Sequence, residues 1–94
     1  VLVYRRRTAV AARIGLHARP AGLLAQQAAK SPVSVRIAKV VDGAAGEPVD
    51  AASVLSLMTL AAGHGDEVEL SADGEHAREA VDALVTLLEQ DLDA

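Results

Sequence analysis

The 94-residue chain has no cysteine, no tryptophan and no phenylalanine, and Tyr4 is its only aromatic residue. Without cysteine there is neither a disulfide framework nor thiolate chemistry. The lack of aromatics removes the stacking platforms that single-stranded nucleic acid needs, and Arg5-Arg6-Arg7 alone does not make a binding surface, so no nucleic-acid partner is expected. No long apolar run offers a membrane span or a secretory signal, which implies a cytoplasmic protein without membrane insertion. His17, His64 and His76 are widely separated and lack ligand spacing, so no metal site is expected. Nor is there a second acid–base residue beside any of them or a cofactor-binding loop, and no cofactor and no enzyme active site are expected.

Apolar residues make up 51% of the sequence. The core must therefore be assembled from Ala, Val, Leu and Ile, and the length suits one domain over residues 1–94 with a modest core. Charge is lopsided: residues 1–50 hold eight Lys/Arg against three Asp/Glu, and residues 51–94 hold one against ten. Such an asymmetry can orient encounters with a charged partner.

Periodicity predicts the elements. Residues 3–12, with Val3, Tyr4, Thr8, Val10 and Ala12, read as a strand that Arg13-Ile14-Gly15 breaks. Ala18, Ala21, Leu24, Ala25 and Ala28 then follow helical spacing to about Lys30, where Ser31-Pro32 stops the helix. Strict alternation over residues 33–39 predicts a half-buried strand, extended by Val40 and Val41. The stretch from Asp42 to Pro48 reads as a long hairpin loop, and Val49-Asp50 as a short returning strand. Residues 51–62 read as a short helix capped by Asp50 or Ser53 and ended by Gly63-His64-Gly65. A strand over residues 66–72 and a helix opened by Asp73-Gly74-Glu75 complete the order β-α-β-β-α-β-α. The final residues, 89–94, read as the last helical turn and a solvated tail. This order favours an α+β domain with helices covering one face of an antiparallel sheet.

Chemistry concentrates in Gly15-Leu16-His17-Ala18-Arg19-Pro20. His17 falls where a helix begins, and Pro20 occupies an early helical position, where its missing N–H costs nothing. Free N–H groups and the positive dipole end favour an anion there, and the Arg19 guanidinium offers planar hydrogen bonds to phosphate-like oxygens. A histidine so placed can carry a phosphoryl group. His64, between two glycines, reads as a loop residue, and His76 lies in the first turn of the last helix.

These residues, together with Val49 through Met58 and Gly65 through Gly74, resemble HPr, the histidine-containing phosphocarrier of the bacterial sugar phosphotransferase system. The resemblance covers nearly the whole chain. It implies an open-faced β-sandwich, a four-stranded antiparallel sheet with three helices on one face. It further implies that His17 accepts a phosphoryl group on Nδ1 from phosphorylated enzyme I and passes it to an enzyme IIA domain. The backbone N–H groups of Ala18 and Arg19 and the Arg19 side chain would bind the phosphoryl oxygens. Val54, Leu55 and Met58 match the family's apolar docking patch. Ser53 matches a position that a regulatory kinase phosphorylates in some members, although a simple helix cap explains a serine there equally well. A monomer is expected.

Two departures stand out. Gln26 and Ala29 occupy positions where familiar members carry lysines, which thins the basic rim, and the hairpin at residues 40–48 is several residues longer than in many relatives. Two other readings stay open. The chain could be an HPr-like domain of a larger phosphotransferase protein, a reading that the missing initiator methionine keeps alive although both ends look complete. It could instead be a non-phosphorylated regulatory interaction domain, against which the presence of His17 and Arg19 argues.

Overall fold

Along strand β1 (Val3–Ala9) exposed and half-buried positions alternate without a break. Tyr4, Arg6 and Thr8 therefore share the inner face, and Arg5 and Arg7 the outer one. The computed structural model describes residues 3–92. After β1 come α1 (Ala18–Ala29), β2 (Arg36–Val41), β3 (Ala44–Ala45), β4 (Val49–Asp50), α2 (Val54–Thr59), β5 (Glu67–Asp73) and α3 (Ala77–Leu88). All strand pairs are antiparallel, in the order β1-β5-β2, and both β3 and β4 pair with the far edge of β2. The two short pieces form one interrupted row, so the sheet has the expected four rows. The three helices cover one face.

Small side chains fill the space between sheet and helices. Ala21 and Leu24 of α1, Leu57 of α2, Leu70 of β5 and Val81 and Leu84 of α3 are all buried. Among the described residues no buried side-chain nitrogen or oxygen lacks a hydrogen-bond partner, so burial is not opposed by stranded polar groups. The inner face of β1 is tied to α3 by polar bonds as well as packing. The Tyr4 hydroxyl donates to Asp82 at 2.9 Å, Arg6 donates to the same carboxylate at 3.1 Å, and Thr8 donates to Glu89 at 3.0 Å. Arg78 lies over the Tyr4 ring, 5.5 Å from its centre.

Several boundaries differ from the sequence expectation. Strand β2 starts at Arg36 rather than at residue 33, the chain from Ser31 to Val35 being bend and irregular backbone. Strand β1 ends at Ala9: the Val10 amide still donates to its register partner, the Asp66 carbonyl, but the next amide, Ala11, turns away from the ladder to the Leu88 carbonyl. The expected long hairpin loop is instead a tight two-residue turn, with Asp42 at φ 52° and Gly43 at φ 81°, the positive pair that matches the twist of a hairpin. The returning strand then starts at Ala44, is interrupted at residues 46–48, where Gly46 donates to the Lys39 carbonyl at 2.9 Å, and resumes at Val49. Helix α2 is only six residues long, because Ser53 caps its start and Ala61, at φ 53°, turns the chain away after it. Finally, α3 ends at Leu88, whose carbonyl accepts the Ala11 amide, and Asp91 pairs with Arg13 at 2.7 Å rather than lying in a solvated tail. Asp93 and Ala94 lie outside the described residues.

The hairpin at residues 40–48 has a visible place in the fold. Its turn curls over the outer face of the sheet, where the Arg7 guanidinium donates to the Gly43 carbonyl at 2.9 Å while its Nε pairs with Glu69 at 3.0 Å. Ala38 and Val40 sit on that face in register with Glu69 and Glu67. They are nevertheless only 2% and 7% exposed. A small second cluster is thus closed on the side without helices.

The Asp82 carboxyl is held below the usual carboxylate range, first by the Tyr4 hydroxyl and then by Arg6, against the opposing effect of partial burial. A carboxyl depressed in the folded state stabilises above its unfolded pKa, about 3.9, and that contribution is lost as pH falls through the folded value. Asp82→Asn is therefore expected to lower stability near neutrality and to flatten the loss of stability below about pH 4, which urea titrations at a series of pH values would read.

Candidate functional site

His17 is the N-cap of α1, with extended backbone (φ −82°, ψ −171°) and no side-chain capping bond. Its carbonyl accepts the first intrahelical bond, from the Ala21 amide at 3.0 Å. Ahead of that bond lie the amides of Ala18 and Arg19, whereas Pro20, the third helical residue, has none to give. Two backbone donors therefore stand at the start of the helix. The first turn carries no acidic residue, and both Ala18 and Arg19 are exposed. His17 is half-buried and borders a shallow groove of about 310 Å³ that it shares with Ile14, Leu16, Met58 and residues 61–63. The dipole end, the two amides and a guanidinium suit a dianionic group bound at the imidazole.

What aims His17 is the loop before it. Gly15 has φ 86°, and a Cβ there would meet the Ala62 carbonyl oxygen at 2.6 Å and the Gly63 Cα at 2.8 Å. The next amide, Leu16, donates to that same Ala62 carbonyl at 2.9 Å, and the Leu16 side chain is buried. The entry to α1 thus rests on residues 61–63. That segment is itself held from below. The Lys39 ammonium donates to the Ala61 carbonyl at 3.1 Å and approaches Asp66 to 3.5 Å, while Asp66 accepts the Gly63 amide at 2.8 Å. The Gly63 amide first, and Lys39 after it, hold the Asp66 carboxyl below its ordinary value although partial burial works the other way. Ala61 sits in the left-handed region, which costs a residue with a Cβ about 1–2 kcal/mol.

The sequence-predicted residues are distributed as follows. Met58 joins His17 at the groove, and Val54 and Leu55 are exposed on neighbouring α2, Leu55 at 77%. Ser53 is half-buried and its hydroxyl accepts the Ser56 amide at 3.2 Å, so it is the α2 cap, while Asp50 accepts the Ala52 amide in the preceding turn. His64 is exposed in the turn before β5, and His76 precedes α3 with its Nδ1 3.2 Å from Glu79. Among the described residues no cluster of three or more His, Asp or Glu side chains could hold a metal. Sequence reasoning missed Ile14, which is 73% exposed at the groove. Its signal was a β-branched apolar residue standing alone inside a turn, where burial is not available to explain it.

Fold and site together define a small α+β sandwich that presents a histidine at the start of its first helix, beside an apolar surface. Residues 4–90 match the family model for the PTS HPr component phosphorylation site. The phosphocarrier protein HPr of Streptomyces coelicolor is 42% identical over 79 residues, 84% of this chain and 81% of that protein. A solved HPr of Thermoanaerobacter tengcongensis superposes with a TM-score of 0.81 at 33% identity, covering 97% of each chain. An HPr dimer from the same organism gives 0.67 at 38% identity, covering 83% of this chain and 84% of that one. The chain belongs to the HPr family.

Because the Gly15 conformation and its contact with residues 62–63 both exclude a side chain, Gly15→Ala is expected to cost at least about 2 kcal/mol. Chemical denaturation would measure the loss, and an unchanged midpoint would show that the loop can shift without penalty.

Proposed function

We propose that this protein is a phosphocarrier that accepts a phosphoryl group on His17 Nδ1 from phosphorylated enzyme I and delivers it to enzyme IIA domains in sugar uptake. The observation that carries this reading is the placement of His17 as the N-cap of α1, beside the Ala18 and Arg19 amides and the exposed Arg19 side chain. In the transfer, the imidazole lone pair attacks phosphorus as the bond to the departing donor breaks, and the positive groups spread the charge of the equatorial oxygens. The reverse displacement loads the acceptor. His17 is a covalent carrier in this scheme, turned over by its partner proteins.

Exposure of the site suits a relay in which donor and acceptor use one surface in turn. Val54, Leu55 and Met58 form the apolar part of that surface in this reading, and Ile14 extends it across the histidine. Exposed apolar side chains grouped beside a reactive residue are what a docking face requires. The protein acts in the cytoplasm as a monomer. Ser53 is first a helix cap. A phosphoryl group added there would leave a negative charge at the start of α2, which the helix tolerates, and would oppose an acidic partner approaching His17.

Incubation with phosphoenolpyruvate, magnesium and the cognate enzyme I should add one acid-labile phosphoryl group, seen as intact mass, that is absent in His17→Ala. An unchanged mass with an active enzyme I would sink the proposal. Arg19→Ala should slow the transfer about 10²–10³-fold while changing stability by less than about 0.5 kcal/mol. Ser53→Ala is expected to leave transfer intact but to cost about 0.5–2 kcal/mol of stability through the lost cap; an acid-stable phosphate on Ser53 in protein taken from cells would add a regulatory role to the capping one.

A further inference from the structure

We propose that Lys39 and Asp66, neither of which reaches His17, are positioning residues for the phosphoryl site, acting through residues 61–63. The inference rests on His17 being the acceptor. Lys39 stands on the helix-facing side of β2, in register with Val68, where the alternation of Val35 and Ile37 would continue with an apolar side chain. Its stem crosses the end of the sheet, and its ammonium binds the Ala61 carbonyl at 3.1 Å. A long aliphatic stem with a charged tip is suited to that path.

The chain of contacts is short and continuous. Ala61 is held at φ 53°, a conformation its Cβ disfavours, so something must hold it there. Lys39 grips its carbonyl, and Asp66 grips the Gly63 amide two residues later. Between these two anchors lies the Ala62 carbonyl, the acceptor for Leu16 and the surface against which Gly15 is pressed. His17 directly follows Leu16. Displacing the Ala62 carbonyl therefore displaces the imidazole relative to the Ala18 and Arg19 amides, and in-line transfer is sensitive to such displacements. Lys39 is steadied in turn by the hairpin, because its carbonyl accepts Gly46 and the hairpin turn is pinned to Arg7.

The test uses the whole protein, with hydrogen exchange at the Leu16 amide as a readout independent of phosphotransfer. In Lys39→Met the Leu16 amide should exchange about tenfold faster or more, while amides in the middle of β5 keep their protection. The maximal rate of phosphoryl transfer from phosphorylated enzyme I should fall about tenfold, with a smaller change in the half-saturating concentration because Val54, Leu55 and Met58 on α2 stay in place. Lys39→Arg should preserve both readouts. Ala61→Gly placed in the Lys39→Met protein should restore both, since glycine adopts the left-handed conformation without help. Unchanged Leu16 exchange in Lys39→Met overturns the proposal, as does a slowed transfer that Ala61→Gly fails to restore. If the wild-type protein takes up no phosphoryl group, the phosphocarrier reading falls, and Leu16 exchange still decides whether the clamp exists.

Discussion

A single backbone hydrogen bond, from Leu16 to the Ala62 carbonyl, joins the start of α1 to the approach to β5. The placement of the site rests on it. Helix α1 could pack its alanine and leucine face against the sheet at several small rotations, since small side chains interlock weakly. The bond removes that freedom at the end that matters. It also requires a glycine beside it, because only a residue without Cβ fits against residues 62–63. The loop preceding His17 is consequently a rigid extension of the sheet rather than a flexible connection.

Most of the architecture was legible because the chain is patterned simply. The α1 run and the Val68/Leu70 pair each specify one period without competition, and the structure follows them; the alternation of Val33, Val35 and Ile37 persists in burial, but the strand itself starts only at Arg36. The errors fall where a local backbone preference is overruled. Asp42-Gly43 reads as loop in a window rich in alanine, yet its positive φ values make the tightest hairpin turn available. Ala61 reads as helix by propensity but turns left-handed just past the α2 cap, where the Lys39 ammonium meets its carbonyl. No periodicity reports such a contact.

The candidate site was legible for a different reason. Its histidine, arginine and proline lie within four residues and are brought together by one helix start, so no long-range contact had to be foreseen. Residues 61–63 escaped because they join the site only through folding, and Ile14, next to the motif, because it reads as part of the break after the first strand. Those are the positions that a motif does not contain. The same division separates the proposed roles: in that reading the motif supplies the reacting atoms, and distant residues supply their aim.

The contact between Arg7 and the Gly43 carbonyl carries a mechanical consequence. In an open sheet the two border strands fray independently, since neither touches the other. Here the first strand and the hairpin turn between β2 and β3 are latched across the outer face of β5 and β2, over the covered Ala38 and Val40. Peeling either margin breaks that contact and uncovers Ala38 and Val40, so the two borders are coupled across the outer face.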